Sequence, residues 1–444
     1  MAPESLFGAP PSSAEDPISE PAIRQHEESH IVISSTGDLI LRVKELEGED
    51  NFAYRVETAC LREASSYFEK LLRPAFSEGA AVVASHKALK EEYASLADVP
   101  FERLPEVAIE DIGRISKVST IKNISADFLR VIHDQGLGGK DAPPVTNLAN
   151  LTIVADRFDA LDAFSKHAKR KGYMQMIEAK SKKSSTLLAA GIAEERARQK
   201  LMVGILLDYS PWVGLYSKRL IVTDSARWKA QDLDDEESAL WWDLPSGIED
   251  ELMYRRQCVL ETISSLQKHF LKLYTSGQRQ CKLGYDSSAQ CDSFQLGEMV
   301  KFFVKNGTLR LRSAIFGDDP GPDYRGDINR LLDSMKQCPS YQIDNNHAHC
   351  GLRARLLPLI DFIQSQTVLS AAGLDMGICT ECWLNYRSEY AWSLAKRPLV
   401  WSRPMANAGR PSGRVPASGR SCLARHLWVR DMFTAVDHNW TAKE

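Results

Sequence analysis

Between residues 38 and 79 the spacing of apolar side chains changes period, and that change restricts the chain to a fold opening on a sheet and continuing in helices. Leu39, Leu41 and Val43 alternate with Ile40, Arg42 and Lys44, and Phe52, Tyr54 and Val56 alternate with Ala53 and Arg55. A period of two marks strands with one buried face. The polar connection 45–50 carries Gly48, so an antiparallel hairpin is expected. Thr58 then offers a cap for a helix from Ala59, and Leu61, Ala64, Phe68 and Leu71 or Leu72 fall at helical spacing. The hydroxyls at Ser65 and Ser66 predict a second helix start, and Pro74 a stop.

This succession resembles the opening of a BTB/POZ domain, including many fungal ones. The family string V-x-x-x-x-L-x-x-A-S-x-Y/F-F, followed by F-x-E-G, is matched by Val56, Leu61, Ala64, Ser65, Tyr67, Phe68, Phe76, Glu78 and Gly79. PEVAIEDI (105–112) is similar to the third strand, and ISADFLRVIHDQ (124–135) to the helix after it. NLANLTIVADRFDALDAFSKHAKR (147–170) contains the recurrent A-D-R-F-D, with Leu148, Leu151, Ala155 and Phe158 on one stripe. The resemblance implies an α+β fold over residues 30–172, a small sheet flanked by helices, which binds proteins and performs no chemistry. In family members that act as cullin adaptors an apolar-x-Glu closes the second helix. Phe76-Ser77-Glu78 stands there, so the resemblance implies Phe76 and Glu78 as partner contacts and a substrate adaptor of a cullin-type ubiquitin ligase. Self-association is the other family use, but the Pro/Ser/acidic residues 1–29 read as disordered and show no N-terminal element of the kind exchanged in dimers. An insertion at about 80–103 reads as an extra exposed helix or loop.

The rest of the chain has a different composition. All nine tryptophans lie at or beyond Trp212, and eight of the nine cysteines at or beyond Cys258. A second, mostly α-helical domain over 188–396 follows, after a linker at 173–187. Helices are expected at 193–210, 252–276 and 296–307, an aromatic turn after Pro211, a strand within 218–228 and a solvated acidic loop at 232–237. Residues 397–444 are an Arg/Pro/Gly-rich tail ending in a short helix. A net charge of −4 gives no field that would gather nucleic acid onto the whole molecule. No apolar run reaches membrane-spanning length, and the first thirty residues lack an apolar signal core. With an odd cysteine count, this places the chain in the cytoplasm or nucleus, its thiols reduced or bound to metal.

The cysteine and histidine pattern is where this half suggests chemistry. Cys379 and Cys382 form a C-x-x-C knuckle, and Cys338, His347, His349 and Cys350 lie together in CPSYQIDNNHAHC. Zinc takes four thiolate or imidazole ligands. A structural site is therefore expected from Cys379 and Cys382 with Cys350 and either Cys338 or a histidine such as His349. Cys281 and Cys291 form an earlier C-x9-C pair, while Cys422 and His426, four apart, read as a coincidence of helical spacing. Structural zinc and reduced, buried cysteines are both open readings. No phosphate loop, dinucleotide fingerprint, nucleophile elbow or H-E-x-x-H helix occurs, so an enzyme is not expected. The alternative to an adaptor is a BTB-type transcriptional or chromatin-associated regulator with a zinc-stabilised C-terminal domain, which would bind DNA in a salt-sensitive way.

Overall fold

The computed structural model describes residues 29–44, 51–116, 120–137, 142–183, 190–229, 239–281, 283, 288–309, 324–367, 376–403 and 421–441. The expected hairpin turn 45–50, the acidic run 232–237 and the stretch 404–420 lie outside them, as do residues 1–28.

The chain opens on β1 (Ser29–Val32), β2 (Leu39–Lys44) and β3 (Asn51–Val56), followed by α1 (Thr58–Ala64), α2 (Ser66–Leu71), α3 (Ser77–Glu92) and β4 (Glu106–Ile109). The four strands form a mixed sheet in the order β1-β3-β2-β4, with β2 antiparallel to β3 and both outer strands parallel to their neighbours. The period-two reading holds: Leu39, Leu41, Val43, Tyr54, Val56, Val107 and Ile109 all enter the main core. The first strand gave no signal of its own, since four residues are too few to show alternation.

The insertion does form an extra, largely exposed helix, but it also buries part of the sheet. Ile40 and Ala53, on the back of the sheet, are buried with Leu89, Val99 and Leu104 in a separate small core. Helix α3 and the two 3-10 turns that follow it, Leu96–Asp98 and Phe101–Arg103, thus close the second face. The Arg55 guanidinium pins this layer, donating to Gly37 O and, at 2.9 Å, to Ala97 O.

Gly79 sits where α3 starts against the preceding turn, and a Cβ there would lie 2.0 Å from the Arg73 carbonyl oxygen. Backbone cannot yield as a side-chain tip can. Gly79→Ala is expected to cost about 1–3 kcal/mol through forced displacement of the helix. A chemical-denaturation midpoint equal to that of the parent would contradict it.

Helices α4 (Ile121–Ile132), α5 (Val145–Arg157), α6 (Leu161–Lys171) and α7 (Tyr173–Lys183) complete the first half. The two strings quoted above meet here. Ser65 caps α2 by accepting from the Phe68 amide and donates its hydroxyl to Phe158 O, while the Ser66 hydroxyl donates to the Asp159 carboxylate. Phe158 stacks between Phe68 and Phe128, with centroids 5.1 and 5.5 Å away. Helix α7 falls where a linker was expected and is packed by Tyr173, Met174 and Ile177.

His133, at the end of α4, is fixed as a neutral ring. Its Nδ1 faces Leu129 O at 2.7 Å and its Nε2 accepts the Glu57 amide at 3.0 Å. Burial holds its pKa below the ordinary 6.5, against the pull of the Leu129 carbonyl. The unfolded chain therefore takes up the proton first. The stabilisation is complete above pH 6.5 and is lost as pH falls through the depressed folded value. Between pH 7.5 and 5.5 the parent should lose more unfolding free energy than His133→Leu; parallel losses in urea titrations would refute this.

The second half adds α8 (Ala190–Leu206), α9 (Ser210–Thr223), α10 (Ile248–Thr275), α11 (Ser288–Lys305), α12 (Ile328–Lys336), α13 (Leu352–Thr367), α14 (Thr380–Asn385), α15 (Arg387–Tyr390), β5 (Val400–Ser402), α16 (Ser421–Thr434) and β6 (Asp437–Asn439). The strand expected within 218–228 is instead the end of α9. Pro211 occupies the first helical turn, where its missing N–H costs nothing, and Trp212, Tyr216 and Leu220 then fall on one buried stripe that overrides the β-branched Ile221 and Val222. The main core runs without a break from Ile33 to Trp440. Among the described residues no helix is long and apolar enough to cross a membrane.

Candidate metal centres

Two groups of four side chains converge in the C-terminal half. Cys281, Cys291, His347 and Cys350 form the first, all buried, and Cys379, Cys382, Cys422 and His426 the second; in each, the ligand atoms lie within 4.8 Å of one another. Both have the composition Cys3His.

The first group is assembled from the chain after α10, from α11 and from the approach to α13. Cys281 is set by Asp292, whose carboxylate accepts the amides of Gln280 and Cys281 at 2.8 and 2.9 Å. Cys291 sits on the first turns of α11. His347 and Cys350 lie on one turn, closed by the Cys350 amide donating to His347 O at 3.0 Å. Cys281 Sγ is 3.6 Å from Cys350 Sγ and 3.5 Å from His347 Nδ1. A tetrahedral zinc with ordinary bond lengths requires about 3.8 Å between sulfurs and about 3.6 Å from sulfur to nitrogen. The Asp344 carboxylate lies 4.0 Å from the far ring nitrogen of His347, beyond hydrogen-bond reach.

The second group joins two short elements. The Cys379 amide donates to Tyr390 Oη at 2.7 Å, and the Trp383 amide to Cys379 O at 2.9 Å, which closes the knuckle over α14. Cys422 and His426 stand one turn apart at the start of α16, and Cys382 Sγ is 3.4 Å from Cys422 Sγ.

The thiols are tuned against one another. Burial opposes ionisation of Cys281 and Cys379, yet hydrogen bonds from their neighbours outweigh it and bring each pKa down to about 7. Their partners go the other way: burial and the adjacent thiolate charge push Cys291 up to about 12 and raise Cys382 further. Ionisation of one sulfur in each set thus opposes ionisation of its neighbours. A divalent cation reverses that balance by replacing the protons.

These sets differ from the ligands expected from sequence. Cys350, Cys379 and Cys382 are ligand candidates, but Cys350 belongs to one group and the knuckle to the other. Cys338 joins neither. Its side chain is buried in the main core, its sulfur near Pro339 O, and burial raises its pKa to about 11. His349 is exposed and likewise outside both groups, because the turn that buries His347 points its second neighbour outward. Cys422 and His426, read as a helical coincidence, complete the second set.

Phe76 and Glu78 stand apart from both groups, at the start of α3. Phe76 is half exposed, and the Glu78 carboxylate accepts from the Ser77 hydroxyl at 2.7 Å. Val83, two turns along α3 from Phe76, is also exposed. No family profile, curated protein or solved structure matches the chain.

Proposed function

We propose that the chain is a protein-interaction module. A BTB-like N-terminal part presents Phe76 and Glu78 to a partner, in the manner of a substrate adaptor for a cullin-type ubiquitin ligase. The C-terminal half, held by two structural zinc ions, supplies a second surface. The observation that carries this reading is the docking of Ser65 and Ser66 on Phe158 and Asp159. It joins the two strings on which the BTB resemblance rests and leaves Phe76 outside the core. Four protein ligands per metal, with no position kept for water or substrate, support a structural role for the zinc.

The test is a pull-down with purified cullin. Binding by the parent that is lost in Phe76→Ala with Glu78→Ala, while the melting curve is unchanged, would support the adaptor. Binding unaffected by the pair, or none at all, would remove it.

A further inference from the structure

The two Cys/His groups differ in access and in what they hold. Every member of the first is buried, whereas Cys379 and Cys422 in the second are half-buried. On the open side Cys422 Sγ lies 3.8 Å from the carboxylate of Glu381. The Cys382 thiol, on a different element, is in van der Waals contact with it at 3.4 Å. A sulfur that solvent reaches, with a second sulfur already against it, is the arrangement in which one-step oxidation can be trapped as a disulfide.

The surroundings let this happen without loss of the fold. The later turns of α16 are anchored independently, by the buried Val429, Met432 and Phe433 and by the Thr262 hydroxyl donating to Phe433 O at 3.2 Å. Beyond it, Trp440 Nε1 donates to Ser265 Oγ at 2.9 Å, and β6 pairs with β5. The first turns of α16 carry Cys422 and His426, with Leu423 buried beside them.

We propose that Cys382 and Cys422 form a peroxide-responsive pair, so that the second zinc is released by oxidation while the first is retained. This rests on the reading of both groups as zinc sites. The Cys422 thiolate attacks one oxygen of a hydroperoxide; an S–O bond forms, the O–O bond breaks, and the departing oxygen leaves as water or alcohol after taking a proton. The Cys382 thiolate then attacks the sulfenic sulfur. An S–S bond forms and hydroxide leaves, protonated to water. Two thiolates, one hydroperoxide and two protons become one disulfide and two neutral oxygen products. The zinc, deprived of two ligands, departs, and the first turns of α16 are freed from α14.

The experiment uses the full chain loaded with zinc. Hydrogen peroxide is added in steps, released metal is followed with a chromophoric chelator, and peptides are mapped by mass spectrometry after alkylation. Half of the bound zinc should be released, with a Cys382–Cys422 disulfide, and thiol reductant plus zinc should restore it. Cys422→His keeps four ligands but removes the attacking sulfur; it should hold its full zinc content and resist peroxide. Release of both ions together, or a disulfide within the first group, would overturn the proposal and leave the zinc reading standing. A starting protein without zinc would overturn both.

Discussion

Cys291→Ser is expected to lower the zinc content of the purified chain from two equivalents to one and to unfold the region around α11 and the approach to α13. A serine hydroxyl does not ionise to replace the thiolate, and the remaining three come from two places only, Cys281 and the turn that carries His347 and Cys350. Binding free energy at closed sites of this type is of order 10 kcal/mol and is also folding free energy. That is comparable with the total stability of a domain, about 5–15 kcal/mol. Elemental analysis and a circular-dichroism melt read the two effects. Cys338→Ser is the matched control: equally buried but outside both groups, it should keep two equivalents. Full zinc content in Cys291→Ser would sink the assignment of the first centre.

Glu251→Ala is expected to destabilise the chain by about 3–5 kcal/mol, because it leaves a guanidinium buried without its counter-charge. Glu251 and Arg255 are 1% and 0% exposed at the side chain and meet at 2.7 Å on α10. The carboxylate also accepts the Trp392 amide at 2.8 Å and the Ser393 hydroxyl at 2.7 Å, while Arg255 donates to the carbonyls of Met376 and Gly377. Burial works against the charge of both, and their mutual attraction with these bonds restores it. The Arg255 guanidinium lies over the rings of Tyr390 and Trp392, and Tyr390 accepts the Cys379 amide. The loss should therefore also speed removal of one zinc by chelator. A denaturation midpoint within experimental error of the parent would show that the pair contributes nothing net.

The parts of the fold legible in sequence were those governed by local period and capping. The alternation in β2 and β3, the Ser65 cap and the long apolar stripe of α10 each fix their own conformation. The back of the sheet was not legible, since Ile40 and Ala53 gain a partner only when Leu89, Val99 and Leu104 arrive from the insertion. The end of α9 is not legible for a related reason: Ile221 and Val222 favour strands locally, but the burial of Trp212 and Tyr216 decides the segment.

The metal centres were half legible. Each is made of two close pairs, C-x9-C with H-x-x-C and C-x-x-C with C-x3-H, and every pair is visible in the sequence. Which pairs combine depends on tertiary approach, which spacing does not encode. Cys338 and His349 stand as near in sequence to members of the first group as those members do to one another. Their separate fates, one in the core and one in solvent, follow from the turn at 345–350 and from the burial of Cys338 just past the end of α12.

All four members of the first group, from Cys281 to Cys350, precede all four of the second, from Cys379 to His426. The sets are consecutive and never interleave. During synthesis a chain emerges from its N-terminus, and units that are complete can fold before the rest appears. The earlier four can thus come together and bury their sulfurs while the later four are still within or near the ribosome. Order of birth, as well as geometry, works against shuffling of the six cysteines and two histidines into mixed sets.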